Sequence, residues 1–116
     1  MTLRCLLIDD SDEFLASATR LLEAQGAEVV GSATSYQEAL QLAETVTPSV
    51  ALVDVELGDE DGVALARELE ARLPSTRVIL ISAHDPRDLD LVSVSPDADF
   101  ISKEALGVDA IKTLLR

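Results

Sequence analysis

A chain of 116 residues, 47% of them apolar, is long enough to bury a core as one domain and argues against a disordered chain. Its formal net charge of −13, with only nine basic residues, excludes direct nucleic-acid binding, because phosphate contacts need Lys and Arg. The lone Cys5 excludes an internal disulfide framework and fits a reducing cytoplasm, and no apolar run approaches the ~20 residues of a membrane span.

Met1 leads almost directly into the first predicted strand, so no signal peptide is expected. Leu3 to Ile8 is apolar except for Arg4 and ends at Asp9-Asp10. Ser11 can cap a helix whose first turn carries Asp12 and Glu13, with Phe14, Ala18, Leu21 and Leu22 at helical spacing. Gly26 ends that helix. Glu28 to Gly31 reads as a short strand. Ser35 to Glu38 is a capping box for a helix that turns Leu40, Ala43 and Val46 inward and stops before Pro48.

Four apolar residues, Val50 to Val53, then run without a break into Asp54. Such a run reads as a strand buried on both faces of a parallel sheet. A polar loop, Glu56 to Gly62, precedes a helix marked by Leu65, Ala66, Leu69 and Leu73 and closed by Pro74. Val78 to Ile81 is a fourth buried strand, ending at Ser82-Ala83. Asp85-Pro86 opens a helix that Val92, Ser93, Val94, Ser95 and Pro96 keep short or mobile. Ala98 to Ser102 is the fifth strand, followed by Lys103. Val108, Ile111, Leu114 and Leu115 define the last helix. Five strand–helix units with short connections predict a three-layer, doubly wound α/β fold over residues 1–116.

Asp9, Asp10, Asp54, Ser82 and Lys103 each lie just past an apolar run, so all fall on one edge of the sheet. Open parallel sheets place their sites there. Three converging carboxylates repel each other unless a hard cation such as Mg²⁺ joins them. A carboxylate beside that cation can attack phosphorus, with a lysine and a hydroxyl meeting the phosphoryl oxygens.

These residues resemble the receiver domain of two-component response regulators along the whole chain. The acidic pair is Asp9-Asp10. The phosphoacceptor position is Asp54, inside Asp-Val-Glu-Leu-Gly-Asp-Glu-Asp-Gly, with Asp61-Gly62 at the family's offset. Ser82 matches the switch hydroxyl, followed by the small Ala83. Lys103 matches the lysine and Phe100 the switch aromatic. The resemblance implies a flavodoxin-like sheet of order 2-1-3-4-5. It implies a signalling domain that catalyses its own phosphorylation and dephosphorylation, fed by a histidine kinase or phosphotransfer protein. The implied metal is Mg²⁺, held by Asp10, Asp54, the backbone carbonyl of Glu56 and, through water, Asp9. Ser82 and Phe100 would move on phosphorylation and reshape an output face. Glu56 and His84, two residues past Asp54 and Ser82, would tune phosphoryl lifetime.

Gly58 stands where the family favours Pro, and Glu104 where many members carry one. The latter leans toward the LuxR-type helix-turn-helix subfamily, whose DNA-binding output domain would lie outside this chain, a stand-alone receiver being the alternative. A homodimer through the last helix and its neighbours is a further expectation from the family. Three other readings compete. The chain could be a degenerate receiver acting as a phosphorylation-independent interaction module. It could be a phosphatase of haloacid-dehalogenase type using Asp10 and Asp12, although Asp54 then has no role. A flavin-binding module is disfavoured because Asp9-Asp10 would repel the cofactor phosphate.

Overall fold

Side chains alternate between the two faces of a strand, and here both faces are apolar. A computed structural model of the chain describes residues 2–83 and 98–116. The elements are β1 (Arg4–Ile8), α1 (Asp12–Ala24), β2 (Glu28–Ala33), α2 (Tyr36–Val46), β3 (Val50–Asp54), β4 (Glu56–Leu57), β5 (Glu60–Asp61), α3 (Gly62–Arg72), β6 (Arg77–Ser82), β7 (Asp99–Ser102) and, after a short 3₁₀ turn, α4 (Val108–Leu114). The predicted helix after Pro86 falls outside the described residues.

Five parallel strands form one sheet in the order β2-β1-β3-β6-β7, which is 2-1-3-4-5 among the sheet strands. Cys5, Leu7, Leu52, Ile79, Ile81 and Ile101 face one layer, where they meet Leu15, Ala18 and Leu22 of α1 and Val108 and Ile111 of α4. Leu6, Ile8, Ala51, Val53 and Leu80 face the other, against Ala39 and Ala43 of α2 and Val63, Leu65 and Leu69 of α3. The doubly wound, three-layer fold is therefore as expected. No helix among the described residues is long and apolar enough to cross a membrane.

Local chemistry sets the element ends. Ser11 Oγ accepts from the Phe14 N–H and starts α1. Ser35 Oγ accepts from the Glu38 N–H, while the Glu38 carboxylate reaches back to the Thr34 N–H at 2.8 Å, one residue earlier than a simple capping box. Arg4, the one charge in the first apolar run, donates to the carbonyls of Val46 and Thr47 at 2.9 Å and closes the end of α2.

Three expectations need correction. Leu21 is 41% exposed and Leu15 is buried instead, so the core stripe of α1 is rotated slightly about the helix axis while Ala18 and Leu22 stay in it. In α2, Ala43 is buried and Leu40 packs half-buried against the core as expected, but Ala39 takes the inward place given to Val46, because a small residue lets the helix sit close to the sheet. The stretch after Asp54 is not a plain polar loop. Glu56–Leu57 pairs antiparallel with Glu60–Asp61, and Leu57 is buried in the core.

Candidate functional site

Strand register brings the site together. Ile8 lies beside Val53, so Asp9 and Asp54 leave the sheet side by side. Asp54 lies beside Ile81, and Ser82 beside Ser102, so Ser82 and Lys103 follow at the same edge. All of these are the carboxyl ends of parallel strands.

Asp9, Asp54 and Ser82 are buried, whereas Asp10 is exposed. Lys103 Nζ lies 2.6 Å from Asp9 Oδ2 and 3.2 Å from Asp54 Oδ2, so one ammonium joins two buried carboxylates. Their other oxygens are held by backbone. Asp9 Oδ1 accepts from the Ser11 N–H at 2.9 Å, and Asp54 Oδ1 from the Glu56 N–H at 3.0 Å. The site opens into a cavity of about 200 Å³ bounded by Asp10, Asp54, Glu56, Gly58, Ser82, Ala83 and Lys103.

Burial pushes the Asp54 carboxyl up to about 6; the Glu56 N–H opposes this, the Asp9 charge reinforces it, and Lys103 opposes it. For Lys103, burial favours the neutral amine, but the Asp9 and Asp54 carboxylates outweigh it and the ammonium is held above its ordinary range. The site keeps Lys103 charged and makes a lone negative charge on Asp54 costly.

That cost, and the donor set, suit a hard cation. Asp9, Asp10 and Asp54 each offer a carboxylate oxygen, and these lie within 4.8 Å of one another. Asp9 Oδ2 is buried and meets no hydrogen-bond geometry, although Lys103 is close enough for an ion pair. An all-oxygen set with an under-satisfied buried carboxylate fits Mg²⁺ better than a soft metal.

The β4–β5 hairpin holds the backbone beyond Asp54 in place. Its two central residues are Gly58 and Asp59, with Gly58 at φ 64°. A first central residue with positive φ is what a tight hairpin of this kind requires, and proline, locked near −65°, cannot adopt it. Gly58 in place of the family's Pro therefore marks a different turn. Asp61 then caps α3, accepting from the N–H groups of Val63 and Ala64.

Residues 5–115 match the response regulator receiver domain. The chain belongs to that family. The signal receiver domain of the response regulator NarL from Mycobacterium tuberculosis superposes with a TM-score of 0.81 at 30% identity, covering 98% of this chain and 94% of that one. The DNA-binding transcriptional activator DevR/DosR of Mycobacterium tuberculosis is 27% identical over 113 residues, 96% of this chain and 52% of its own length. A protein-glutamate methylesterase/protein-glutamine glutaminase of Alkalilimnicola ehrlichii is 36% identical over 84 residues, 72% of this chain and 21% of its own. The receiver thus spans about half, or about a fifth, of the length of these curated relatives. Receiver domains bind Mg²⁺ at an acidic pocket, and Asp9, Asp10 and Asp54 form an acidic cluster at the corresponding edge here.

The remaining predicted residues are spread more widely. Glu56 touches Asp54 through its backbone and is itself exposed. Phe100 is half-buried in β7, packed toward the α2–α3 layer rather than beside Lys103. Asp12 is exposed in the first turn of α1. His84 lies outside the described residues. Two contacts at the site had no clear signature in the sequence. Ser11, read there only as a helix cap, also fixes Asp9 through its N–H. Phe14, read there as a core residue, has the Lys103 ammonium over its ring.

Proposed function

We propose that this receiver accepts a phosphoryl group on Asp54 from the phosphohistidine of a histidine kinase or phosphotransfer protein. The observation that carries this reading is the Lys103 ammonium set between Asp9 and Asp54 in a buried acidic cluster. In the transfer, an Asp54 carboxylate oxygen attacks phosphorus. The new O–P bond forms as the N–P bond of the donor breaks, and the imidazole nitrogen keeps the electron pair and takes a proton.

Asp10, Asp54 and the Glu56 carbonyl would hold Mg²⁺, with Asp9 supporting through water. When bound, the cation neutralises charge gathering on the phosphoryl oxygens. The chain's own residues do the rest. The Glu56 N–H fixes the rotation of the Asp54 carboxylate. Lys103 moves its contact from Asp54 Oδ2 to a phosphoryl oxygen and stays paired with Asp9. Ser82, one register step beyond Asp54 on the neighbouring strand, supplies a hydroxyl to a further oxygen. Its movement, followed by Phe100, changes the face at the β7 side of the sheet. Such a change is a local charge event biasing a two-state element.

The output is a DNA-binding domain outside this stretch, joined as in the helix-turn-helix regulators. Similarity to the NarL receiver and to DevR/DosR supports that subfamily. A homodimer through α4 and its neighbours and a cytoplasmic location accompany the same reading. The test is intact mass after incubation with Mg²⁺ and acetyl phosphate. One phosphoryl group is expected on the wild type, none without Mg²⁺ and none on Asp54→Asn. An unshifted mass with both acetyl phosphate and a phosphorylated kinase, the fold being intact, contradicts the reading and leaves a phosphorylation-independent interaction module.

A further inference from the structure

We propose that Phe14 is a positioning residue for Lys103, a role that rests on the phosphoryl-transfer reading of Asp54 and extends it to α1. The Lys103 ammonium lies over the Phe14 ring, 4.4 Å from its centroid. An ammonium has three N–H donors and no acceptor. Asp54 Oδ2 accepts from one of them at 3.2 Å, and Asp9 Oδ2 is an ion-pair partner at 2.6 Å. The ring offers the ammonium the negative face of its quadrupole, which attracts a cation most strongly where water is excluded. Lys103 is only 18% exposed at its side chain, so this contact is made in a largely dry setting.

Phe14 is also held by contacts of its own. Its N–H donates to Ser11 Oγ at 3.2 Å, and the Ser11 N–H donates to Asp9 Oδ1 at 2.9 Å. Its ring packs against the core layer shared by α1 and α4. Asp9, Ser11, Phe14 and Lys103 therefore form a closed circuit that begins and ends at one ammonium. The circuit matters when Asp54 changes. Lys103 must then release Asp54 Oδ2 and meet a phosphoryl oxygen. Asp9 and the ring stay in contact during that exchange and stop the four-carbon stem from swinging to solvent. Leucine at position 14 would fill similar space but offers no quadrupole.

The experiment uses Lys103 as its own reporter, since Lys103 and Lys112 are the two lysines of the chain. Protein carrying ¹³C at the lysine ε-carbons gives two NMR signals, assigned with Lys112→Arg. The ring current of Phe14 places the ε-protons of Lys103 upfield of those of Lys112. Phe14→Leu abolishes that offset and slows Mg²⁺-dependent phosphorylation by acetyl phosphate about tenfold, the size of a partly desolvated cation–π contact. Phe14→Tyr keeps both the offset and the rate, which separates loss of the ring from loss of packing. Equal ε-proton shifts for both lysines in the wild type, or a wild-type rate in Phe14→Leu, overturns the proposal. An upfield Lys103 in a wild type that takes no phosphoryl group upholds the placement of the lysine by Phe14 and sinks the Asp54 reading instead.

Discussion

Gly62 lies so close to Asp54 that a Cβ built on it would stand 1.8 Å from the Asp54 carbonyl oxygen. The contact is backbone against backbone, so no side chain can swing away to relieve it. The Gly62 N–H also donates to the Val55 carbonyl at 3.1 Å, tying the start of α3 to the residue after Asp54. The family's Asp-Gly pair thus has a physical meaning here. Asp61 caps α3, and Gly62 lets the capped helix press on the end of β3.

Gly62→Ala is accordingly expected to destabilise the fold by ~3 kcal/mol or more, as overpacking against fixed backbone does. Urea unfolding measures it. A loss below ~1 kcal/mol would show that β3 and α3 can part without cost.

Removing charge from the acidic cluster should have the opposite sign. Burial and the Asp9 charge hold Asp54 up near about 6. Its raised folded pKa means that folding takes up a proton, so the metal-free wild type gains stability as pH falls from 7.5 through about 6. Asp54→Asn should lack that gain and, in chelator at pH 7.5, be ~1–3 kcal/mol more stable than the wild type. Thermal melts test both points. Mg²⁺ should raise the melting temperature of the wild type and have little effect on the variant. A less stable Asp54→Asn in chelator would mean that the ion pair with Lys103 outweighs the crowding.

Cys5 should be chemically silent while the chain is folded. Its thiol is fully buried, and burial pushes it up to about 11. A thiol-specific disulfide reagent at pH 8 should label none of it natively and all of it in denaturant. Because the folded pKa is raised, stability should be level at neutral pH and fall as pH rises from about 9 toward 11. Fast native labelling would place Cys5 outside the core.

Glu56 sits two residues past Asp54 with its side chain in solvent. Its charge should repel both an anionic phosphodonor and an attacking hydroxide. Glu56→Asn should therefore gain and lose the phosphoryl group about threefold faster, the size of one screened charge at this range. Stopped-flow phosphorylation followed by decay in chelator measures both rates, and two unchanged rates would remove Glu56 from the mechanism.

Most of the fold could be read from the chain because the central strands β3 and β6 carry unbroken apolar runs that close on a polar residue. Asp9, Asp54, Ser82 and Lys103 were legible as a site for the same reason: a parallel sheet carries all its strand ends to one edge. What stayed hidden depends on contacts between distant segments. The β4–β5 hairpin looks polar in sequence, and only Leu57 turned into the core makes it a structure. The phase of α1 escaped because Leu15, Leu21 and Leu22 are equally apolar, and packing alone decides that Leu21 faces out. Phe14 reads as one more core residue until Lys103, 89 positions later, arrives over its ring.

The central claim is that Asp54 itself carries the phosphoryl group. Borohydride reduction cleaves an aspartyl phosphate and leaves homoserine at the modified position. Wild-type protein would be incubated with Mg²⁺ and acetyl phosphate, reduced, digested and mapped by mass spectrometry. Homoserine at position 54, absent when Mg²⁺ is withheld, is the predicted result. Homoserine at Asp9 or Asp10 with Asp54 intact would contradict the account and move the nucleophile to β1.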